Sequence, residues 1–329
     1  MSTGDGESGP CSVNEDEIFQ GAVRDGIPAL SDPSTSAAED PDLDFLEPDD
    51  RVIGLAGGAG ALAVPLNILW WHEIVNTRLD GRRIAVTHCP LTGSSLVFDT
   101  EAADADFGVS GLLYQNNLIM YDRVDGESLW PQMLRRAACG PLRGTPFTMI
   151  PSVEMSWARW RTLYPASQVV TSETGFSRSY RTYPYGGYDV KDSDQLLFPL
   201  SDRIDPRRPP KERVLGIADR APTVAFPFGW LEDLGGVAAV NDQHRVVLWD
   251  EEGQAAMAYQ RTLDGQTLGF EVEAGRVVDR ETGSTWRVDG LAVAGPLEGR
   301  RLAPIAEAYV AYWFAWAAFH PDTFVMGEE

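Results

Sequence analysis

The chain repeats itself, and this constrains it more than any other feature. Val52-Ile-Gly-Leu-Ala-Gly-Gly-Ala-Gly-Ala-Leu-Ala-Val-Pro-Leu66 aligns without gaps on Val214-Leu-Gly-Ile-Ala-Asp-Arg-Ala-Pro-Thr-Val-Ala-Phe-Pro-Phe228. Ser128-Leu-Trp130 then aligns with Ser284-Thr-Trp286, and Gly140-Pro-Leu-Arg-Gly144 with Gly295-Pro-Leu-Glu-Gly299. Trp157, Trp160 and Pro165 align with Trp313, Trp316 and Pro321. Blocks kept in one order read as two related units, about 50–170 and 212–327.

Each unit opens on apolar arms around a Gly- or Pro-containing turn, the pattern of a hairpin. Further strands follow, such as Arg83 to His88, Ser95 to Phe98, Leu118 to Tyr121 and Arg245 to Trp249. A short helix carries Trp157, Trp160 and Leu163 in one copy and Trp313, Trp316 and Phe319 in the other. That spacing puts the rings on one face, as core anchors, and proline stops each helix. The fold class is α+β and strand-rich: two tandem pseudo-repeats, each with several antiparallel strands and a short Trp-bearing helix. The expected organisation is a largely disordered stretch over 1–24, then a lead-in plus first repeat over 25–170. A connector over 171–213 and a scaffold repeat over 214–329 complete it. The connector holds Tyr180, Tyr183, Tyr185 and Tyr188 among Arg, Gly and Pro, so it is expected to pack rather than to act as a flexible tether.

Lys+Arg number 27 against 49 Asp+Glu, a net charge of −22. This speaks against nucleic acid or anionic lipid as partner. Only Lys191 and Lys211 are lysines, which fits either salt adaptation or codon bias. Three cysteines exclude a disulfide-dense scaffold. The start shows neither a basic nor an apolar stretch, and Leu55 to Trp71 is too short and too interrupted for a transmembrane segment. The chain as written reads as soluble and cytoplasmic, with an envelope or secreted location if the start codon is misassigned.

Duplication supplies an internal control: features in both copies belong to the fold, and features in one copy are candidates for function. His72 and Glu73 stand opposite Leu234 and Gly235. His88 and Cys89 face a stretch, Leu248 to Gly253, without thiol or imidazole. Unit one also carries about seven extra residues near Ser110 to Asn117. His72 can ligate a metal or carry a proton, Glu73 can act as base, and the Cys89 sulfur sits where a strand yields to a turn. On an ideal strand His88 points away from Cys89, so His72 and Cys89 form the preferred pair. Each has a plainer reading: Cys89 as a small buried hydrophobe, His72 as a bonded core histidine, Glu73 as a cap, and Tyr114 with Asn116 and Asn117 as a polar loop. His244 and His320 lie in the other unit and read as structural. The Gly57 to Gly60 cluster is a hairpin turn and no phosphate cradle, since unit two has Asp219-Arg-Ala-Pro222 there.

With those residues in view, the chain resembles a widespread bacterial and archaeal family catalogued only as a domain of unknown function. The runs that carry the resemblance include Asp25-Gly-Ile-Pro-Ala-Leu30, Trp71-His-Glu-Ile-Val-Asn76 and Val86-Thr-His-Cys-Pro-Leu-Thr-Gly-Ser94. Phe107-Gly-Val-Ser-Gly-Leu-Leu-Tyr114, Asn117-Leu-Ile-Met-Tyr-Asp122, Ser128-Leu-Trp130, Pro184-Tyr185 and Phe314-Ala-Trp-Ala-Ala-Phe319 belong to it too. It covers about residues 11–327 and brings no activity with it. The family pattern usually reads Cys-Pro-Leu-Cys-Gly-Ser after a Tyr. Here Thr92 replaces the second Cys and His88 the Tyr, which excludes a dithiol couple inside the motif and removes a thiolate from any two-thiolate metal site.

These readings converge on one polar site in unit one, made of His72, Glu73 and Cys89 and rimmed by Tyr114, Asn116 and Gln132. A transition metal, zinc or copper, would be held by His72, Cys89 and His88, with Glu73 as proton acceptor. A small molecule or metal is thus the expected ligand. The alternatives are a non-catalytic binding or envelope-associated protein using the Tyr/Trp-rich groove between units, and a thiol-redox protein through Cys89.

Overall fold

A computed structural model describes residues 11–58 and 60–328. The duplication is visible in it strand by strand. In unit one the hairpin Arg51–Ala56/Ala61–Pro65 is flanked by Val153–Ser156, antiparallel, and by Gln168–Val170, parallel. In unit two the hairpin Arg213–Ile217/Val224–Pro227 is flanked in the same way by Ala308–Tyr312 and Phe324–Val325. Each hairpin leads through proline into a short helix, α1 (Leu66–His72) in unit one. The outer strand of unit one leads into α2 (Trp157–Leu163), the hairpin of unit two into α3 (Phe228–Asp233), and its outer strand into α4 (Trp313–Phe319). Helices of six or seven residues are too short to stand on propensity and rely on packing.

The tryptophans supply that packing. Trp160 and Trp316 are fully buried against Gly54 and Gly216, where an added Cβ would lie 2.0 Å from the indole in each copy. Their indole N–H groups donate to Ser167 Oγ at 2.9 Å and Thr323 Oγ1 at 3.0 Å. Each unit also contributes a three-stranded meander, Ile74–Leu79/Arg82–Cys89/Ser94–Asp99 and Val237–Asp242/Arg245–Asp250/Ala255–Gln260.

The meanders are exchanged. Ser94–Asp99 of unit one pairs with Ala308–Tyr312 of unit two, and Thr92 O accepts from Tyr312 N at 2.8 Å. The mirrored contact, Ser156 N to Gly253 O at 2.9 Å, joins the outer strand of unit one to the end of the unit-two meander. One nine-stranded sheet therefore draws on both units.

Three features differ from the sequence expectation or extend it. Residues 11–24 are ordered: Ile18–Gln20 pairs with Phe107–Tyr114, Arg24 bonds Glu127, and Cys11 forms a disulfide with Cys139. The earlier part of the expected disordered stretch, 1–10, lies outside the described residues. The disulfide also removes Cys139 as a partner for Cys89, which is free and buried. The extra residues of unit one lengthen the hairpin Phe107–Tyr114/Asn117–Asp122, whose tip holds the connector. There Asn116 Nδ2 donates to Phe198 O at 2.8 Å, and Phe198 N donates to Asn116 Oδ1 at 3.1 Å. No helix among the described residues is long and apolar enough to cross a membrane.

Candidate functional site

The expected pair, His72 and Cys89, is occupied elsewhere. His72 ends α1, and both ring nitrogens are engaged: Nδ1 with Pro28 O at 2.7 Å and Nε2 with Tyr180 Oη at 2.8 Å. It ties the lead-in to the connector, lies tilted against the Phe176 ring at 5.3 Å, and burial lowers its pKa. No nitrogen is left for a metal. Cys89 is wholly buried in an apolar cluster; burial and the neighbouring Glu73 push its thiol up to about 11, so it is protonated at neutral pH. A protonated, buried thiol is a poor nucleophile and a poor ligand. Among the described residues no group of three His, Cys, Asp or Glu is arranged to hold a metal ion.

The expected rim is structural as well. Gln132 lies in a closed network in which its amide donates to Thr87 Oγ1 at 2.8 Å and its carbonyl accepts from Asn117 Nδ2 at 2.8 Å. Ser94 Oγ also donates to Gln132 Oε1, at 2.5 Å. Thr92 joins that network through Ser94 and Asn117. Asn116 clamps the connector, and Tyr114 packs edge-on to Phe319 at 5.9 Å.

Glu73 stands apart. It is 4% exposed, its carboxyl group makes no hydrogen bond or ion pair among the described residues, and burial raises the carboxyl pKa to about 8. It caps α1 at φ 57°, ψ −31°, a strained backbone for a residue with a Cβ. Gly235 holds the corresponding position at φ 75°.

The residue the sequence ranked lower, His88, lies at the centre of a different constellation. It shares a strand face with Ile84 and Val86, opposite that of Ala85 and Cys89. Its Nδ1 lies 3.0 Å from Ser95 Oγ, and Ser95 Oγ donates to Glu154 Oε2 at 2.7 Å. Glu154 is buried on Val153–Ser156 and takes Arg51 Nε at 2.6 Å and Arg213 Nη2 at 3.4 Å. Burial opposes the charge on Glu154, but the two guanidinium groups hold its carboxyl down to about 2. With Ser95 committed to Glu154, His88 Nδ1–H is the donor and Nε2 carries the lone pair. Nε2 makes no hydrogen bond among the described residues. Burial drives the His88 pKa down to about 4, so the ring is neutral at pH 7.

His88, Glu154, Arg51 and Arg213 line a cavity of about 350 Å³ at the junction of the two units. Trp70, Tyr183 and Phe228 give it aromatic walls, and the connector closes it with Lys191 and Lys211. A larger cleft of about 810 Å³ opens beside Gly57, Gly58 and Gly60, but its buried carboxylate, Asp289, is already bonded by Tyr164, Arg287 and Arg301.

Strand register places the unit-two counterparts of the cavity residues. The pair His88↔Ser95 corresponds to Trp249↔Ala256, and Glu154, opposite Ile53, corresponds to Val310, opposite Leu215. Arg51 and Arg213 are themselves counterparts, so one arginine from each unit converges on a single glutamate. Ser95, Glu154, Arg51 and Arg213 escaped the sequence reading. The signal was present, since a glutamate stands where the aligned second copy has valine on an otherwise buried strand.

The family model described as "Protein of unknown function (DUF3179)" matches residues 24–323. The chain belongs to that family. The match spans both units and the connector. No curated protein and no solved structure matches the chain.

Proposed function

We propose that the cavity at the junction of the units is a small-molecule site in which His88 Nε2 accepts a proton from the bound ligand. One observation carries the reading: the His88–Ser95–Glu154 line ends on a cavity, and all three of its members are replaced by Trp249, Ala256 and Val310 in the sibling unit. Ser95 accepts from Nδ1–H and donates to Glu154, which fixes the tautomer. A carboxylate behind the serine stabilises the imidazolium that proton uptake would form. The aromatic walls serve the ligand's apolar part, which joins this reading to that of a Tyr/Trp-lined binding groove. The metal reading has no support in the donor set, because His72 and Cys89 are otherwise engaged. The Cys11–Cys139 disulfide supports a setting outside the reducing cytosol.

The test is histidine-selective NMR on the full chain. His88 is expected as the neutral Nδ1–H tautomer at pH 7, and Ser95→Ala should release that preference. A charged ring, or an Nε2–H tautomer in the wild type, would sink the proposal.

A further inference from the structure

The wall of the cavity supplied by the connector and the start of the unit-two hairpin holds two cations that are incompletely compensated among the described residues: Lys211, with no carboxylate in ion-pair range, and Arg213, only part of whose guanidinium meets Glu154. Lys211 is 2% exposed. Its ammonium donates to the carbonyl oxygens of Tyr188 and Gln195 and lies 3.5 Å from the Tyr188 ring centroid. It forms no ion pair among the described residues; the exposed Asp189 and Asp194 act on it only from beyond contact distance. Arg213 follows two residues later. Its Nη2 is shared between Glu154 and Gln254 O, at 3.4 and 3.3 Å, while its Nε is buried without a partner.

The two buried carboxylates of the cavity are already committed. Glu154 takes Arg51 and Arg213. Glu212 accepts from Arg208 Nε at 2.7 Å and Nη2 at 2.8 Å, accepts from Gly229 N at 3.1 Å, and has Lys191 at 3.6 Å. Asp189 and Glu232, the other acids lining the cavity, are exposed. The buried part therefore carries more positive than negative charge, in a chain whose net charge is −22. An unpaired buried cation is costly, and a bound anion would compensate it.

We propose that this cavity takes a small oxyanion, a carboxylate or phosphate group, held by Lys211 and Arg213. The planar guanidinium supplies directed donors and the ammonium a point charge, the combination suited to either anion. The proposal deepens the preceding reading: the anion anchors the ligand whose proton His88 accepts.

The experiment is calorimetric titration of the full chain at pH 7 and fixed ionic strength, with inorganic phosphate and, separately, succinate. Saturable one-to-one binding of at least one probe is expected, and the probe that binds identifies the anion. Arg213→Gln and Lys211→Met should each weaken it about tenfold or more. Arg213→Lys keeps the charge but loses the fork, and should fall between wild type and Arg213→Gln. Circular dichroism of the free variants checks their fold; if Lys211→Met does not fold, the two Arg213 variants carry the test. Absence of saturable binding for both probes, or affinity unchanged in the Arg213 variants, overturns the proposal. Anion binding without the expected His88 tautomer removes only the proton acceptor. The tautomer without anion binding removes only the anion site.

Discussion

The two units share a backbone plan but differ at the junction where their sheets meet. In unit one that place is polar: His88, Ser95 and Glu154 form a line with arginines behind it. In unit two the same positions are Trp249, Ala256 and Val310, all buried and apolar. A duplicated fold can be held by either solution. The costlier polar one is therefore the place to look for chemistry, since a buried ion pair is a weak device for stability.

The largest expected effect tests this contrast directly. Glu154→Ala leaves Arg51 and Arg213 without their shared carboxylate and should cost about 3–5 kcal/mol in urea unfolding. Its counterpart Val310→Ala removes only methyl groups and should cost markedly less. Equal costs would mean that the polar junction is no different in kind from its sibling. At Gly54 and Gly216 the comparison should instead be symmetric. Gly54→Ala and Gly216→Ala each drive a Cβ into an indole and should cost about 1–3 kcal/mol or more. A large difference between them would break the structural equivalence of the copies.

Acid should expose the asymmetry next. His88 has a folded pKa of about 4, below its unfolded value near 6.5, so its stabilising contribution is complete above pH 6.5 and is lost on acidification toward pH 4. Glu154, held to about 2, loses its contribution below its unfolded value, from about pH 4.5 downward. His88→Gln should flatten the upper part of the melting temperature against pH and leave the lower part in place. The smallest effect is expected at Glu73, where Glu73→Gly copies Gly235. Relief of the left-handed strain and of the buried carboxyl should raise stability by about 1 kcal/mol. The gain should grow as pH rises from about 4.5 toward 8, because over that range the folded wild type still holds a proton that the unfolded chain has released, and it should level off above 8. A loss of stability would show that Glu73 supports the fold.

Much of the fold was legible because duplication marks what a fold requires. The hairpins, the paired helices, and the tryptophans over Gly54 and Gly216 all follow from aligned residues. The family resemblance extended to the whole body. The site was legible only in kind: comparing copies pointed to unit one, but strand alternation alone could not say which polar residue met a cavity. His72 was overrated because its partners, Pro28 and Tyr180, come from segments 44 and 108 residues away. Glu154 was missed because its significance depends on two arginines contributed by different units. Cys11 and Cys139 are 128 residues apart, and spacing holds no information about such a pairing.

The crossed meanders have a consequence for synthesis. Ser94–Asp99 finds its neighbour only when residues 308–312 leave the ribosome, some two hundred residues later. Until then the nascent chain carries an open strand edge next to the residues destined for the cavity, a segment prone to pairing with the wrong chain. Two halves synthesised as separate polypeptides would each lack that closure and could supply it only to one another. This is the arrangement expected if an ancestral pair of identical subunits, each lending its meander to the other, became fused into one chain.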